Sequence, residues 1–140
     1  MAQFPFTAAL LQACRQAGIH TCMETCGFAP QEKFRSILPW VDLFLFDFKL
    51  ADSDLHAQYT GVSNQLILDN LECLYQLGAA ILLRCPIIPG INDSHAHLQA
   101  VHDLEMRYPD LVGIDLLPYH DLGISKAGRI GDPGEQTAFQ

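Results

Sequence analysis

The sequence predicts an α/β protein built on a parallel sheet. Helix-spaced apolar residues alternate with short continuous apolar runs along the chain, and each run is separated from the next by enough residues for a helical crossover. The run Leu43-Phe44-Leu45-Phe46 is apolar at successive positions, as expected of a strand covered on both faces.

Taken in order, Phe6, Leu10, Ala13, Cys14 and Ala17 recur at helical spacing after Pro5 and stop at Gly18, a proline start and a glycine end. A strand over Ile19–Thr25 follows, closed by Cys26-Gly27. Pro30 opens a second helix with the stripe Phe34, Ile37, Leu38 and Val41, and Leu43–Phe46 is the second strand. A third helix spans Asn64–Gly78 through Ile67, Leu71, Leu74 and Leu77, and the apolar run Ala79–Cys85 is the third strand. Ser94 can cap a fourth helix with Leu98, Val101 and Leu104 inward, ended at Tyr108-Pro109. Val112–Leu117 is the last strand, and residues 121–140 form an irregular, glycine-rich tail.

The 140 residues, 49% hydrophobic and 17% charged, suit one domain with a sizeable core. A formal charge of -8 argues against nucleic acid or an anionic membrane as the main partner, because both need a basic face. The apolar runs are too short to span a bilayer, and the first residues lack the basic region of a secretory signal. Five cysteines, an odd number without regular spacing, point to free thiols in a reducing cytoplasm.

Chemistry in such sheets collects at the carboxyl ends of the strands. There the sequence places Glu24-Thr25, Asp47 with Lys49, Arg84, and Tyr119-His120. Asp47, Arg84 and His120 are one βα repeat apart, so a carboxylate, an ammonium, a guanidinium and an imidazole can converge on one rim and suit a zwitterionic ligand. Asp47 ends an apolar run, where a carboxylate is costly unless paired. Lys49, two residues on, shares its strand face; the two could bind the ends of an amino acid or form a structural ion pair. Arg84 lies within Leu82-Leu83-Arg84-Cys85-Pro86 and either pairs inside the sheet or reaches a ligand. His120 is either a ligand contact or a hydrogen-bonded structural residue. His95, His97 and His102 read as exposed helix surface, with no carboxylate or cysteine fixed beside them for zinc.

Three separated blocks carry a family resemblance. They are Asp47-Phe48-Lys49 continuing through Asp52, His56 and Thr60-Gly61-Val62-Ser63-Asn64 to Asn70-Leu71; Arg84 to Asp93; and Leu116-Leu117-Pro118-Tyr119-His120. Together they resemble the glycyl radical enzyme activating enzymes, of the pyruvate formate-lyase activase type, within the radical S-adenosylmethionine superfamily. The resemblance implies a partial parallel (β/α) barrel, of which about four βα units are present, holding a [4Fe-4S] cluster and S-adenosylmethionine. It implies that the reduced cluster drives cleavage of S-adenosylmethionine, and that the resulting radical takes a hydrogen from a glycine of a partner glycyl radical enzyme, with an electron donor such as flavodoxin. By matching position, Asp47, Lys49, Arg84 and His120 contact S-adenosylmethionine, and Thr25 with Asp47 lies by the cation site described in the family.

The family's cluster loop reads C-x-x-x-C-x-x-C. Cys22 and Cys26 have the first spacing, but Ala29 stands where the third cysteine belongs, and three thiolates are needed to leave one iron open. Met23-Glu24-Thr25-Cys26-Gly27 is similar instead to the family's D-T-N-G segment, with Glu24 and Cys26 departing from it. The expectation is therefore a fragment of the barrel without its cluster cysteines and first strands, since a full eightfold barrel takes roughly 250 residues. The alternatives are a non-catalytic remnant or companion subunit keeping the S-adenosylmethionine or partner surface, and a small metal-binding protein using Cys22, Cys26 and His20.

Overall fold

The computed structural model of the chain describes residues 3–119. Strands β1 (Cys22–Thr25), β2 (Leu43–Asp47), β3 (Ile81–Ile87) and β4 (Gly113–Pro118) form one sheet in that order, every neighbouring pair parallel. Helices α1 (Phe4–Gln16), α2 (Gln31–Ile37), α3 (Ser53–Thr60), α4 (Gln65–Gln76) and α5 (His95–Arg107) fill the segments before and between them. Because the strand order follows the chain, every crossover advances in the same direction, and right-handed crossovers then put the helices on one face.

Among the described residues that cover is one-sided, which corrects the expectation for β2. Phe44 and Phe46 are fully buried, whereas Leu43, Leu45 and Asp47 are only half-buried. Phe44, Phe46, Ile81, Leu83 and Cys85 join Phe34 and Ile37 of α2 and Ile67, Leu71 and Leu74 of α4 in the core. Full burial of each such apolar side chain contributes roughly 1.5–3 kcal/mol. The opposite face, with Leu45, Asp47 and Arg84, is the one left for polar chemistry.

Other expectations also shift for local reasons. The first strand begins at Cys22 rather than Ile19, because Thr21 is committed elsewhere: its backbone N–H donates to Asp42 Oδ2 (2.8 Å) and its hydroxyl to the Trp40 carbonyl (2.6 Å). The second helix stops at Ile37, and Leu38–Trp40 is a single 3-10 turn, since Pro39 has no N–H to give to the carbonyl four residues back. Helix α3 is absent from the sequence reading. Asp52 caps it, accepting from the N–H groups of Asp54 and Leu55, and Gly61 ends it in the left-handed conformation.

Helix α5 is rotated relative to expectation. Ser94 caps it as read, accepting from the His97 N–H, but Leu98 is exposed and His97 is buried. His97 Nδ1 accepts the N–H of Ala51 (3.2 Å), its ring stacks on Phe48, and its Nε2 is buried with no partner among the described residues. His97 therefore works as a neutral ring, and burial lowers its pKa from 6.5. Falling pH protonates the unfolded chain's histidine first, so this contribution to stability is intact above pH 6.5 and is lost as pH drops below it. The loss is limited to about 1.4 kcal/mol per pH unit. Urea midpoints between pH 8 and pH 5 should fall more steeply for the native chain than for His97→Gln; parallel slopes would disprove the assignment.

Candidate functional site

The register of the sheet lines up a charged band. Asp47 pairs with Arg84, and Arg84 with Asp115, while Glu24 lies two residues lower on the same face, opposite Leu45. Arg84 is the hub: its Nη1 is 3.0 Å from Glu24 Oε2 and its Nε is 3.7 Å from Asp47 Oδ1. Lys49 Nζ is 3.5 Å from Asp47 Oδ2. The Glu24 carboxylate is the largest influence on Arg84, raising its pKa against the opposing effect of burial, with the charges of Asp47, Glu24 and Asp115 adding to it. Two cations thus face three carboxylates, a set that can hold a ligand carrying both an acid and a positive centre.

The loops around this band are held by buried asparagines. Asn92 Nδ2 donates to the Lys49 and Pro86 carbonyls, both at 2.7 Å, and its Oδ1 accepts from the Ile88 N–H. Asn64 Nδ2 donates to the Leu50 and Ala51 carbonyls, and Asn70 Nδ2 to those of Gly27 and Ala29. Phe48 N–H donates to the Arg84 carbonyl at 2.8 Å. The backbone that carries Lys49 is thereby tied to the exits of β2 and β3, so the ammonium's stem starts from a defined place.

Of the residues singled out from sequence, Asp47, Lys49 and Arg84 come together. Thr25 does not join them: its register partner is Phe46 on the helix-covered face, and its hydroxyl accepts the Gly27 N–H at 3.1 Å. His120 lies outside the described residues. Asp115 was overlooked, although a lone charge inside Ile114-Asp115-Leu116 is a signal of the kind that flagged Arg84. Asn92, which the sequence marks only within the Arg84–Asp93 block, is the rim's main tie.

A cleft of about 210 Å³ opens beside the band, lined by Asp47 and Lys49, by Cys26 and Phe28 after β1, and by His56, Thr60, Val62 and Ile67. His56 is buried, and its Nδ1 lies 2.7 Å from the Val62 carbonyl, which can only accept. An apolar groove of about 390 Å³ runs between Ile87, Pro89, Leu116, Pro118 and Tyr119.

Among the described residues, no three His, Cys, Asp or Glu side chains converge as a metal site. Cys22 stands in register with Leu43, whereas Cys26 belongs to the cleft. Cys22 and Cys26 therefore do not fit a [4Fe-4S] cluster. No helix among the described residues is long and apolar enough to cross a membrane.

No protein-family model matches the chain. It is 44% identical over 125 residues to the choline trimethylamine-lyase activating enzyme of Oleidesulfovibrio alaskensis, an overlap of 87% of this chain and 40% of that protein. It is 39% identical over 126 residues to the trans-4-hydroxy-L-proline dehydratase activating enzyme of Clostridioides difficile, covering 89% and 42%. The 4-hydroxyphenylacetate decarboxylase activating enzyme of Clostridium scatologenes is 35% identical over 136 residues, covering 96% and 43%. The chain thus spans about two fifths of the length of these relatives. Among solved structures, a domain of the pyruvate-formate lyase-activating enzyme from Bacteroides vulgatus superposes with a TM-score of 0.80 at 30% identity, over 86% of this chain and 75% of that one.

Proposed function

The chain belongs to the glycyl radical enzyme activating enzymes, and on that premise we propose that it provides the S-adenosylmethionine rim of an activase that generates a glycyl radical on a partner enzyme. The observation that carries this reading is the meeting of Asp47, Lys49 and Arg84 on the face of the sheet opposite the described helices, in blocks that resemble the family's. The family's [4Fe-4S] cluster and S-adenosylmethionine would together supply radical chemistry, and Asp47, Lys49 and Arg84 would hold the S-adenosylmethionine. The cluster's ligands are not among the described residues, so in this reading they come from outside them.

The chain's own residues bind and orient. Lys49 and Arg84 offer donors to a carboxylate, while Asp47 and Glu24 face positive charge. Asn92, Asn64 and His97 fix the Lys49 backbone so that the ammonium is placed before the ligand arrives. The partner is a glycyl radical enzyme, the electron donor a flavodoxin-type protein, and the setting the cytoplasm, where the free thiols stay reduced.

The test is equilibrium binding of S-adenosylmethionine to the chain, alone and mixed with a polypeptide covering the remaining length of a relative after anaerobic addition of iron and sulfide. Arg84→Gln and Lys49→Met should each weaken binding at least about tenfold, the loss of one charge-assisted contact worth about 1.4 kcal/mol. Cleavage of S-adenosylmethionine in the mixture alone supports an activase. Binding without cleavage there favours a companion subunit that keeps only the binding surface. Unchanged affinity in both variants would refute the rim assignment.

A further inference from the structure

Arg84 stands in the charged band with a carboxylate on either side of it. Its register partners are Asp47 on β2 and Asp115 on β4, and residues paired in this way leave the same face of the sheet. Register alone therefore allows the long, flexible arginine stem to turn toward either neighbour. In the structure it is turned toward β2 and β1. Arg84 Nε lies 3.7 Å from Asp47 Oδ1 and Nη1 lies 3.0 Å from Glu24 Oε2, whereas among the described residues no ion pair joins Arg84 to Asp115.

Asp47 is not a sufficient reason for that choice. Its Oδ2 is already 3.5 Å from the Lys49 ammonium, and a second cation brought to the same carboxylate is repelled by the first. Asp115 has no ion pair among the described residues, so of the two register partners it is the less compensated attractor. Yet Asp115 is the weakest of the carboxylates acting on Arg84, and Glu24 is the strongest. Glu24 sits on β1 opposite Leu45 and reaches Arg84 across β2. It is one carbon longer than the aspartate of the D-T-N-G segment, which adds to that reach.

We infer that Glu24 is a positioning residue: it draws the Arg84 guanidinium toward β1 and away from Asp115, so that Arg84 and Lys49 meet at the two oxygens of Asp47. Side by side, the two cations can both donate to the single carboxylate of an amino-acid ligand. The Glu24 side chain is 61% exposed, so its pair with Arg84 is open to water and acts through orientation more than through strength. The placement of Arg84 is a property of the chain itself; its effect on S-adenosylmethionine rests on the function proposed above.

The test compares the native chain, Glu24→Gln, and Glu24→Gln combined with Asp115→Asn. Nuclear Overhauser contacts of the Arg84 Nε–H proton report where the guanidinium lies, and calorimetry reports affinity for S-adenosylmethionine. Glu24→Gln should shift the contacts from Asp47 to Asp115 and weaken binding about three- to fivefold, the scale of one partly exposed ion pair. The double variant removes the competing attractor, so the contacts should return to Asp47 and affinity should recover to within about twofold of native. That recovery separates positioning from direct attraction of the ligand by Glu24, because direct attraction would leave the double variant at least as weak as Glu24→Gln. Contacts that stay at Asp47 in Glu24→Gln, or a double variant that recovers neither contacts nor affinity, would overturn the inference. Contacts that move and return while affinity never changes would uphold the positioning of Arg84 and refute the rim assignment instead.

Discussion

Replacing Gly27 by alanine should destabilise the chain by roughly 2–5 kcal/mol, combining overpacking of a filled core with a side chain forced into left-handed backbone. The residue has φ +75°, and a Cβ built on it would collide with Phe46 Cζ and come within 3.1 Å of Ile67 Cγ2. Phe46 is fully buried in β2, so its ring has no room to retreat. Gly27 also opens the turn that Asn70 clamps at the Gly27 and Ala29 carbonyls, and this turn aims Cys26 and Phe28 at the cleft. Gly78 is the matched control: it has φ +74° but open space around its Cβ, so Gly78→Ala should cost only about 1–2 kcal/mol of backbone strain. Urea unfolding of both variants decides the matter, and equal costs would show that the close approach to Phe46 is not what requires glycine.

Asn92→Leu should be comparably damaging, at roughly 3–5 kcal/mol. The substitution strands the Lys49 and Pro86 carbonyls and the Ile88 N–H, each an unsatisfied group costing about 1–3 kcal/mol where it stays buried. The same change should loosen Lys49, so on the function proposed above affinity for S-adenosylmethionine should fall even under conditions where the variant is folded. Asp93→Ala is the contrasting case, since Asp93 is exposed and, among the described residues, accepts only the Gly90 N–H. A cost within about 0.5 kcal/mol of Asp93→Ala, typical of surface substitutions, would mean that the β3 exit holds its path without the asparagine.

Much of the architecture was legible from the chain because its signals are local. Proline at the start of α1, glycine after α1 and α4, and the serine cap of α5 each act within one helical turn. The apolar runs of β2 and β3 announce strands for the same reason, and Asp47, Lys49 and Arg84 stand out because charge in or beside an apolar run needs a partner. Helix α3 escaped because it is short and buries only His56, so it has no apolar stripe to read.

Periodicity alone could not say which face of α5 turns inward. The ring stack on Phe48 and the Ala51 N–H draw His97 in, and Leu98 is left outside. Nor could spacing along the chain reveal that Glu24 reaches Arg84 while Thr25, one residue on, turns to the other face. That depends on which residues stand opposite each other across β1 and β2.

The sequence by itself determined the parallel α/β class, the order of the main elements, and three residues of the charged band, since each follows from the composition of a few neighbouring positions. Only the tertiary structure decided that the described helices cover one face of the sheet, that Asp115 and Glu24 complete the band, that Asn92 ties it down, and that Cys26 shares a cleft with Lys49 and His56. Those facts come from contacts between residues far apart in the chain, and strand register and the direction of each loop exit set them.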